Sequence, residues 1–238
     1  MIIDIHTHVL PGLDDGAKDW DNCLQMLLES AKCGVQKIIA TPHYSPWGKR
    51  TTPEIIHQLC KKAETKLKAQ YGIEMEIYPG NEIYYRVGIV EDVKSGKALS
   101  LAGSRYVLLE FDPIASYQVI YHAIREFVDG GYVPILAHVE RYRCLRKEEA
   151  LRNLKDGGAL LQINASVLQG GVFNAESRWT KKHLCEENID FLSSDMHNTR
   201  TRGPLSSEKL EWVRNKIQLE YQKKILCGNG QKIIADMR

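Results

Sequence analysis

The chain has 238 residues, 43% of them apolar, and 32 basic against 30 acidic side chains leave a formal charge of +2. That is enough apolar matter for one large core, and so small and interspersed a charge argues against nucleic acid as the partner. No apolar run reaches the roughly 20 residues of a membrane span. The start at Met1 lacks a basic stretch and a small-residue cleavage site, so the expected compartment is the cytoplasm. Six cysteines (Cys23, Cys33, Cys60, Cys144, Cys185, Cys227) lie far apart with no C-x-x-C pair, as reduced structural thiols do. None has Arg six positions on, which argues against a thiol nucleophile.

The opening segment, MIIDIHTHVLPGLDDG, is an apolar strand that carries His6 and His8 and runs into Asp14-Asp15-Gly16. Residues two apart on a strand point the same way, so both imidazoles face one side. Trp20, Leu24, Leu27, Leu28 and Ala31 form a helical stripe over 20–33, ended by Gly34. A strand, VQKIIATPH, ends near His43. Thr52 and Pro53 start a second helix with Ile56, Leu59, Ala63 and Leu67 inward, and EMEIYPGNE then delivers Glu82. A short helix near 86–94 precedes SRYVLLEF, which ends at Glu110. Helix 116–129 stops at Gly130-Gly131, and YVPILAHVER delivers His138. Helix 146–156 leads to the strand ALLQINA, and helix 175–188 to IDFLSSDMH with Asp195 and His197. A basic amphipathic helix over 206–224 and a short helical turn complete the chain.

About seven strands alternating with helices imply parallel pairing through helical crossovers. Nine imidazole and carboxylate side chains sit where strands run out into loops. A barrel gathers such ends into one ring, whereas an open doubly wound sheet brings only two or three together. The expectation is a single α/β domain over 1–238, a distorted TIM-like (β/α)7 barrel with a metal site on its C-terminal rim.

The stretches DIHTHVLPGLDDG, ATPH, GNEIYY, SRYVLLEF, ILAHVERY, LQIN and SSDMHNTRTRGP occur in order along nearly the whole chain. In them the protein resembles the polymerase and histidinol phosphatase (PHP) superfamily, within it the bacterial tyrosine-protein phosphatases linked to capsule and exopolysaccharide synthesis. That resemblance implies one metal held by His6, His8, Glu82 and Asp195. Through Glu82 it implies a second, also bound by Glu110 and His138, and a third bound by Asp15, His43 and His197. The donors are all nitrogen or oxygen, which suits Mn²⁺ or Fe²⁺ and allows Zn²⁺; manganese is the ion the resemblance implies. It further implies hydrolysis of phosphotyrosine by metal-activated hydroxide, with the tail of a bacterial tyrosine kinase as substrate. Arg141 and Arg202 resemble phosphate-clamping arginines, for which an always-charged, two-pronged guanidinium is suited. A phenolate leaves readily, its conjugate acid having a pKa of about 10, so no general acid is assigned.

Several residues carry plainer readings. A lone His-x-His is more often incidental than metallic, and only the other strand-end donors lift this one. Asp14 reads as a turn residue, and His57, His122 and His183 as surface or packing residues within helices. Glu140 either orients a neighbour or is a solvated loop acid; Asn164 lines the pocket or caps the next segment; Arg200 competes with Arg202. Tyr84, Tyr85 and Tyr106 read as core and rim aromatics, and the basic face of 214–224 as a solvated helix. Asp15 favours the tyrosine-phosphatase branch over histidinol phosphatase, where histidine is frequent. The loop YSPWGKRTTPE departs from the basic loop of the capsule phosphatases. Its Tyr44 and Trp47 are placed to flank a phosphotyrosine ring, and Lys49 or Arg50 to meet neighbouring acids. The alternatives are a small-molecule phosphatase and a non-catalytic phosphopeptide-binding module.

Overall fold

The computed structural model describes residues 1–45, 51–147, 149–171 and 173–237. Strand β1 (Ile2–Thr7), helix α1 (Trp20–Lys32) and β2 (Val35–Ala40) lead to β3 (His43–Tyr44), α2 (Pro53–Tyr71), β4 (Glu76–Pro79) and β5 (Glu82–Tyr84). Next come α3 (Val90–Lys94), β6 (Tyr106–Glu110), α4 (Tyr117–Asp129), β7 (Val133–Leu136) and α5 (Ala150–Asp156). The order closes with β8 (Leu160–Asn164), α6 (Ala175–Cys185), β9 (Phe191–Ser193), α7 (Ser207–Lys216), α8 (Leu219–Lys223) and α9 (Asn229–Ala235).

All pairings between these strands are parallel, in the orders β1-β2-β4 and β3-β5-β6-β7-β8-β9. The chain joins the two sheets, because β2 continues into β3 across Thr41-Pro42 and β4 into β5 across Gly80-Asn81. Pro42 has no N–H to give a ladder. Its carbonyl is satisfied by the Asn81 side chain, which donates from Nδ2 at 2.8 Å. These two interruptions split strands that the periodicity had joined, hence nine segments among the described residues where about seven were expected. β1 also reaches the far end of the order: Thr7 forms a parallel bridge with Met196, and Asp195 N donates to His6 O at 3.0 Å.

Ile3 and Ile5 of β1, Ile39 of β2, Leu108 of β6, Ile135 of β7 and Phe191 of β9 share one buried cluster. Strands from opposite ends of the order meet there only because the parallel sheet curls. Ile233 and Ile234 of α9 complete that cluster. The helix comes close enough because residue 230 is glycine; a Cβ there would lie 2.9 Å from Ile3 Cγ2. Outside, Leu27 of α1, Ile56 and Leu67 of α2, and Ile120 and Phe127 of α4 pack with Ile38, Ile77 and Val107. Each such fully buried side chain contributes about 1.5–3 kcal/mol.

Several expected boundaries differ: the helices expected over 86–94, 146–156 and 175–188 span Val90–Lys94, Ala150–Asp156 and Ala175–Cys185. The segment 206–224 is two helices: Ile217 is extended (φ −107°, ψ 143°), buried, and its carbonyl accepts from Gln222 Nε2 at 2.7 Å. The expected terminal turn is instead a π-helical stretch, Lys224–Gly228, running into α9. Thr52 makes no side-chain cap bond to α2, whereas Asp19 caps α1 and Ser116 caps α4. Among the described residues no helix is long and apolar enough to cross a membrane. The described cysteines are free thiols, and burial pushes Cys23 and Cys60 up to about 12.

Candidate metal centre

All nine strand-end donors come together at the ends where the strands finish. The register of β1 slips between Asp4 and Thr7, a bulge that re-aims the strand. His6 therefore follows Ile3 and Ile5 to the inner side, where strict alternation would have turned it away. Glu82 is the centre of the cluster and only 1% exposed. Its Oε1 lies 3.2 Å from His6 Nε2 and 2.9 Å from His138 Nε2, and its Oε2 3.2 Å from His8 Nε2 and 3.0 Å from His43 Nδ1. Glu110 reaches His138 Nε2 at 3.3 Å and His43 Nδ1 at 3.7 Å. Asp195 Oδ1 lies 3.4 Å from His6 Nε2, and Asp15 Oδ1 lies 3.2 Å from His197 Nε2 and 3.4 Å from His43 Nε2.

Three overlapping groups result, in each of which one donor atom per residue lies within 4.8 Å of all the others. They are His6, His8, Glu82 and Asp195; His43, Glu82 and Glu110; and His8, Asp15, His43 and His197. His8 thus also belongs beside Asp15, a membership the sequence reading did not assign. His138 meets the second group through Glu82 and Glu110 rather than as one of its closest donors.

The imidazoles are oriented from behind. The Nδ1–H groups of His8 and His6 donate to Asp14 Oδ2 at 2.7 Å and Gln162 Oε1 at 3.2 Å, and that of His197 to the Asp195 carbonyl at 3.0 Å. Each such bond leaves the Nε2 lone pair facing inward, the tautomer a cation requires. Asp14 also accepts from His43 N and Gly16 N. That turn folds hard against β1: a Cβ on Gly16 would lie 2.1 Å from His8 O. Gln162 accepts from His138 N at 2.8 Å and donates to Asn164 Oδ1 at 2.9 Å, and Asn164 Nδ2 donates to Asp195 Oδ2 at 2.8 Å. His138 (φ 35°) and Asp195 (φ 50°) both hold left-handed backbone, a strain of about 1–3 kcal/mol each that these bonds sustain.

Asp14 and Gln162 were missed by sequence reasoning. Asp14 looked like an ordinary turn residue. Gln162 and Asn164 did carry a signal: two fully polar side chains, two apart, in an otherwise apolar strand. Asn164 lines the cluster rather than capping by its side chain. Glu140 is 3% exposed and accepts from Asn164 N at 3.3 Å, which removes the reading of a solvated acid. His57 and His122 are exposed, while His183 is buried against Trp179. Tyr85 packs on Phe111 and its hydroxyl donates to Glu126. Tyr44 is held at the rim by donating to Asp92 at 3.1 Å, and Trp47, Lys49 and Arg50 lie outside the described residues.

Arg141 and Arg202 both end at the cluster. The NH2 group of Arg141 lies 2.9 Å from Asp195 Oδ2, and that of Arg202 is 2.9 Å from both Asp195 oxygens. Arg200 is exposed and faces an adjoining cleft. The difference is local: His197 N and Asn198 N donate to the Arg202 carbonyl, and Asn198 Oδ1 accepts from Arg200 N and Arg202 N. This tight turn folds Arg202 back over Asp195.

Without cations the cluster is a proton trap. Burial pushes His8, His43 and His138 down, but hydrogen bonds to Asp14, Asp15, Glu110 and Glu82 outweigh it and raise them to about 9, 11 and 9. Burial raises Glu82 and Asp195, yet His6 and the other imidazoles hold both below the usual carboxylate range. His197 is lowered by burial, and its buried Nε2 faces Asp15 Oδ1 at 3.2 Å. Convergent nitrogen and oxygen donors and inward lone pairs fit divalent cations, which would take the place of the trapped protons.

A family of capsular polysaccharide synthesis proteins, CpsB/CapC, matches residues 2–235. The tyrosine-protein phosphatase CpsB of Streptococcus pneumoniae is 31% identical over 243 residues, 99% of each chain. The tyrosine-protein phosphatase YwqE of Bacillus subtilis is 33% identical over 215 residues, 88% of this chain and 82% of that one. A solved chain from a study of YwqE and S. pneumoniae CpsB, described as metal-dependent tyrosine phosphatases, superposes with a TM-score of 0.89 at 27% identity, covering 100% of this chain and 96% of that one. The phosphotriesterase of Mycobacterium tuberculosis shares the fold alone, with a TM-score of 0.58 at 12% identity over 99% and 94% of the two chains.

Proposed function

The chain belongs to the CpsB/CapC family of capsular polysaccharide synthesis proteins, and from that premise we propose that it is a metal-dependent protein-tyrosine phosphatase. The observation that carries this reading is Glu82, whose two oxygens face four imidazoles at 2.9–3.2 Å in the middle of three overlapping donor groups. We read β2 with β3, and β4 with β5, as single interrupted strands. Residues 1–238 then form one (β/α)7 domain, with the centre on its C-terminal rim.

His6, His8, Glu82 and Asp195 would hold one cation; Glu82, Glu110 and His138 a second; Asp15, His43 and His197, with His8 alongside, a third. Manganese is the ion favoured, and Fe²⁺ or Zn²⁺ meet the same donors. Bound there, the cations lower the pKa of water and offset phosphoryl charge, which is the chemistry a monoester hydrolase needs. Arg141 and Arg202 bind phosphoryl oxygens and orient the ester, a task their forked, charged heads perform in pairs. Asp14, Gln162 and Asn164 keep the donors aimed. The leaving phenolate needs no strong acid, and none is assigned. The partner is a phosphotyrosine protein, the tail of a bacterial tyrosine kinase, met in the cytoplasm.

Chelation is expected to abolish hydrolysis of phosphotyrosine peptides and Mn²⁺ to restore it. Restored protein that turns over histidinol phosphate but no phosphotyrosine peptide would overturn the substrate class.

A further inference from the structure

A second cleft, of about 400 Å³, opens beside the centre between the loop after β1, the first turns of α1 and the loop after β9. Asp15 and His197 form the wall it shares with the donor cluster, and Lys18, Asn22, Thr199 and Arg200 line the rest. Lys18 and Arg200 are exposed, and neither has an ion-pair partner among the described residues. They differ in this from Arg141 and Arg202, whose heads are committed to Asp195. Asp15 is the one acid of the lining, and its oxygens are already engaged by His43, His197 and Arg202. Two free cations therefore face a cleft whose negative charge is spoken for.

Met26 is buried and Gly16 adds backbone, while Lys18, Asn22, Gln25, Asn198, Thr199 and Arg200 supply polar or charged heads that suit an oxyanion. A peptide whose phosphotyrosine phosphate enters the cluster keeps its backbone outside, and its flanking residues, at successive Cα spacings of about 3.8 Å, pass over the rim beside this wall.

We propose that this cleft is an anion subsite, in which Lys18 and Arg200 read an acidic or second phosphorylated residue flanking the phosphotyrosine; the inference rests on the phosphatase reading above. It makes charge beside the scissile ester a determinant of substrate choice. The effect acts on binding and not on the chemical step, because neither cation touches the cluster.

The experiment compares Mn²⁺-loaded wild-type protein with Lys18→Ala, Arg200→Ala and Lys18→Glu/Arg200→Glu on three phosphotyrosine peptides. One has neutral neighbours, one a flanking glutamate and one a flanking second phosphotyrosine. Wild type is expected to show a lower KM for the two anionic peptides, an advantage that shrinks as salt rises. Each alanine variant should raise KM for those peptides by roughly fivefold and leave the neutral peptide and kcat alone. The double glutamate variant should invert the preference. The larger loss between the carboxylate and phosphate peptides identifies which oxyanion the cleft takes. Equal KM changes on all three peptides, or none on any, would overturn the subsite while leaving the phosphatase intact. Absence of turnover on every peptide by loaded wild type would instead remove the phosphatase reading, and the subsite with it. Both side chains are exposed, so folding is not at stake.

Discussion

The same strands build two interiors that obey opposite rules. Near its start β1 contributes Ile3 and Ile5 to an apolar cluster sealed by Ile233 and Ile234, while near its end it contributes His6 and His8 to a buried array of imidazoles and carboxylates. β7 repeats the contrast with Ile135 below and His138 just beyond its end. The apolar end is stable by itself because burial and packing act together. The polar end gathers buried charge, strained backbone at two positions and protons held against burial, an arrangement that only bound cations resolve. The difference teaches where this fold keeps its stability and where it stores its reactivity.

Substitutions at the two ends should therefore fail differently. The largest effect is expected for Glu82→Gln, which removes charge from the middle of four imidazoles. Turnover should fall by about three orders of magnitude, and elemental analysis should show lost metal in protein that remains folded. Retained metal and activity would erase the distinction between the two ends. Ile5→Ala should do the reverse, losing about 2–5 kcal/mol in urea unfolding while the folded fraction keeps its metal affinity. Gln162→Leu removes the hub joining His6, His138 and Asn164. Metal affinity, measured by competition with a chelator, should weaken about 10–100-fold with far less change in unfolding.

The pH response sharpens the comparison further. His8, His43 and His138 sit at about 9, 11 and 9, above their ordinary value of 6.5. In metal-free protein their stabilisation is fully present below about 6.5 and is lost as pH rises through 9 to 11. Cations compete with those same protons, so metal-loaded protein should gain stability over that interval. Melting curves for the two forms, followed from pH 6 to 9, should converge at the acid end and diverge at the alkaline end; parallel curves would contradict a proton-filled cluster. The smallest effect is expected from thiol alkylation, since Cys23 and Cys60 are buried and pushed up to about 12. Activity should be unchanged.

Much of this was legible in the sequence because strand ends advertise themselves. Every donor but Asp15 followed an apolar run, and alternation with helices placed those runs parallel; Asp15, in a turn, was legible only through the family resemblance. What escaped had no local signature. The bulge that turns His6 inward depends on the pairing of β1 with β2, and the bond between Asp14 and His8 depends on a turn folded against Gly16. The break at Ile217 reflects a tertiary demand for a buried side chain that outweighs an amphipathic pattern continuous on either side. Spacing from Asp195 and His197 favoured Arg202 over Arg200 only mildly, and the hydrogen bonds of Asn198 separate them.

The seal formed by α9 over β1 has a consequence for biosynthesis. A nascent chain presents Ile3 and Ile5 roughly 220 residues before residues 229–235, which cover them. At about 5–20 residues per second the interval is on the order of tens of seconds. Throughout it the opening strand is a sticky edge on the ribosome, so chaperone dependence should concentrate there and ease when Ile3 and Ile5 are made polar in arrested fragments.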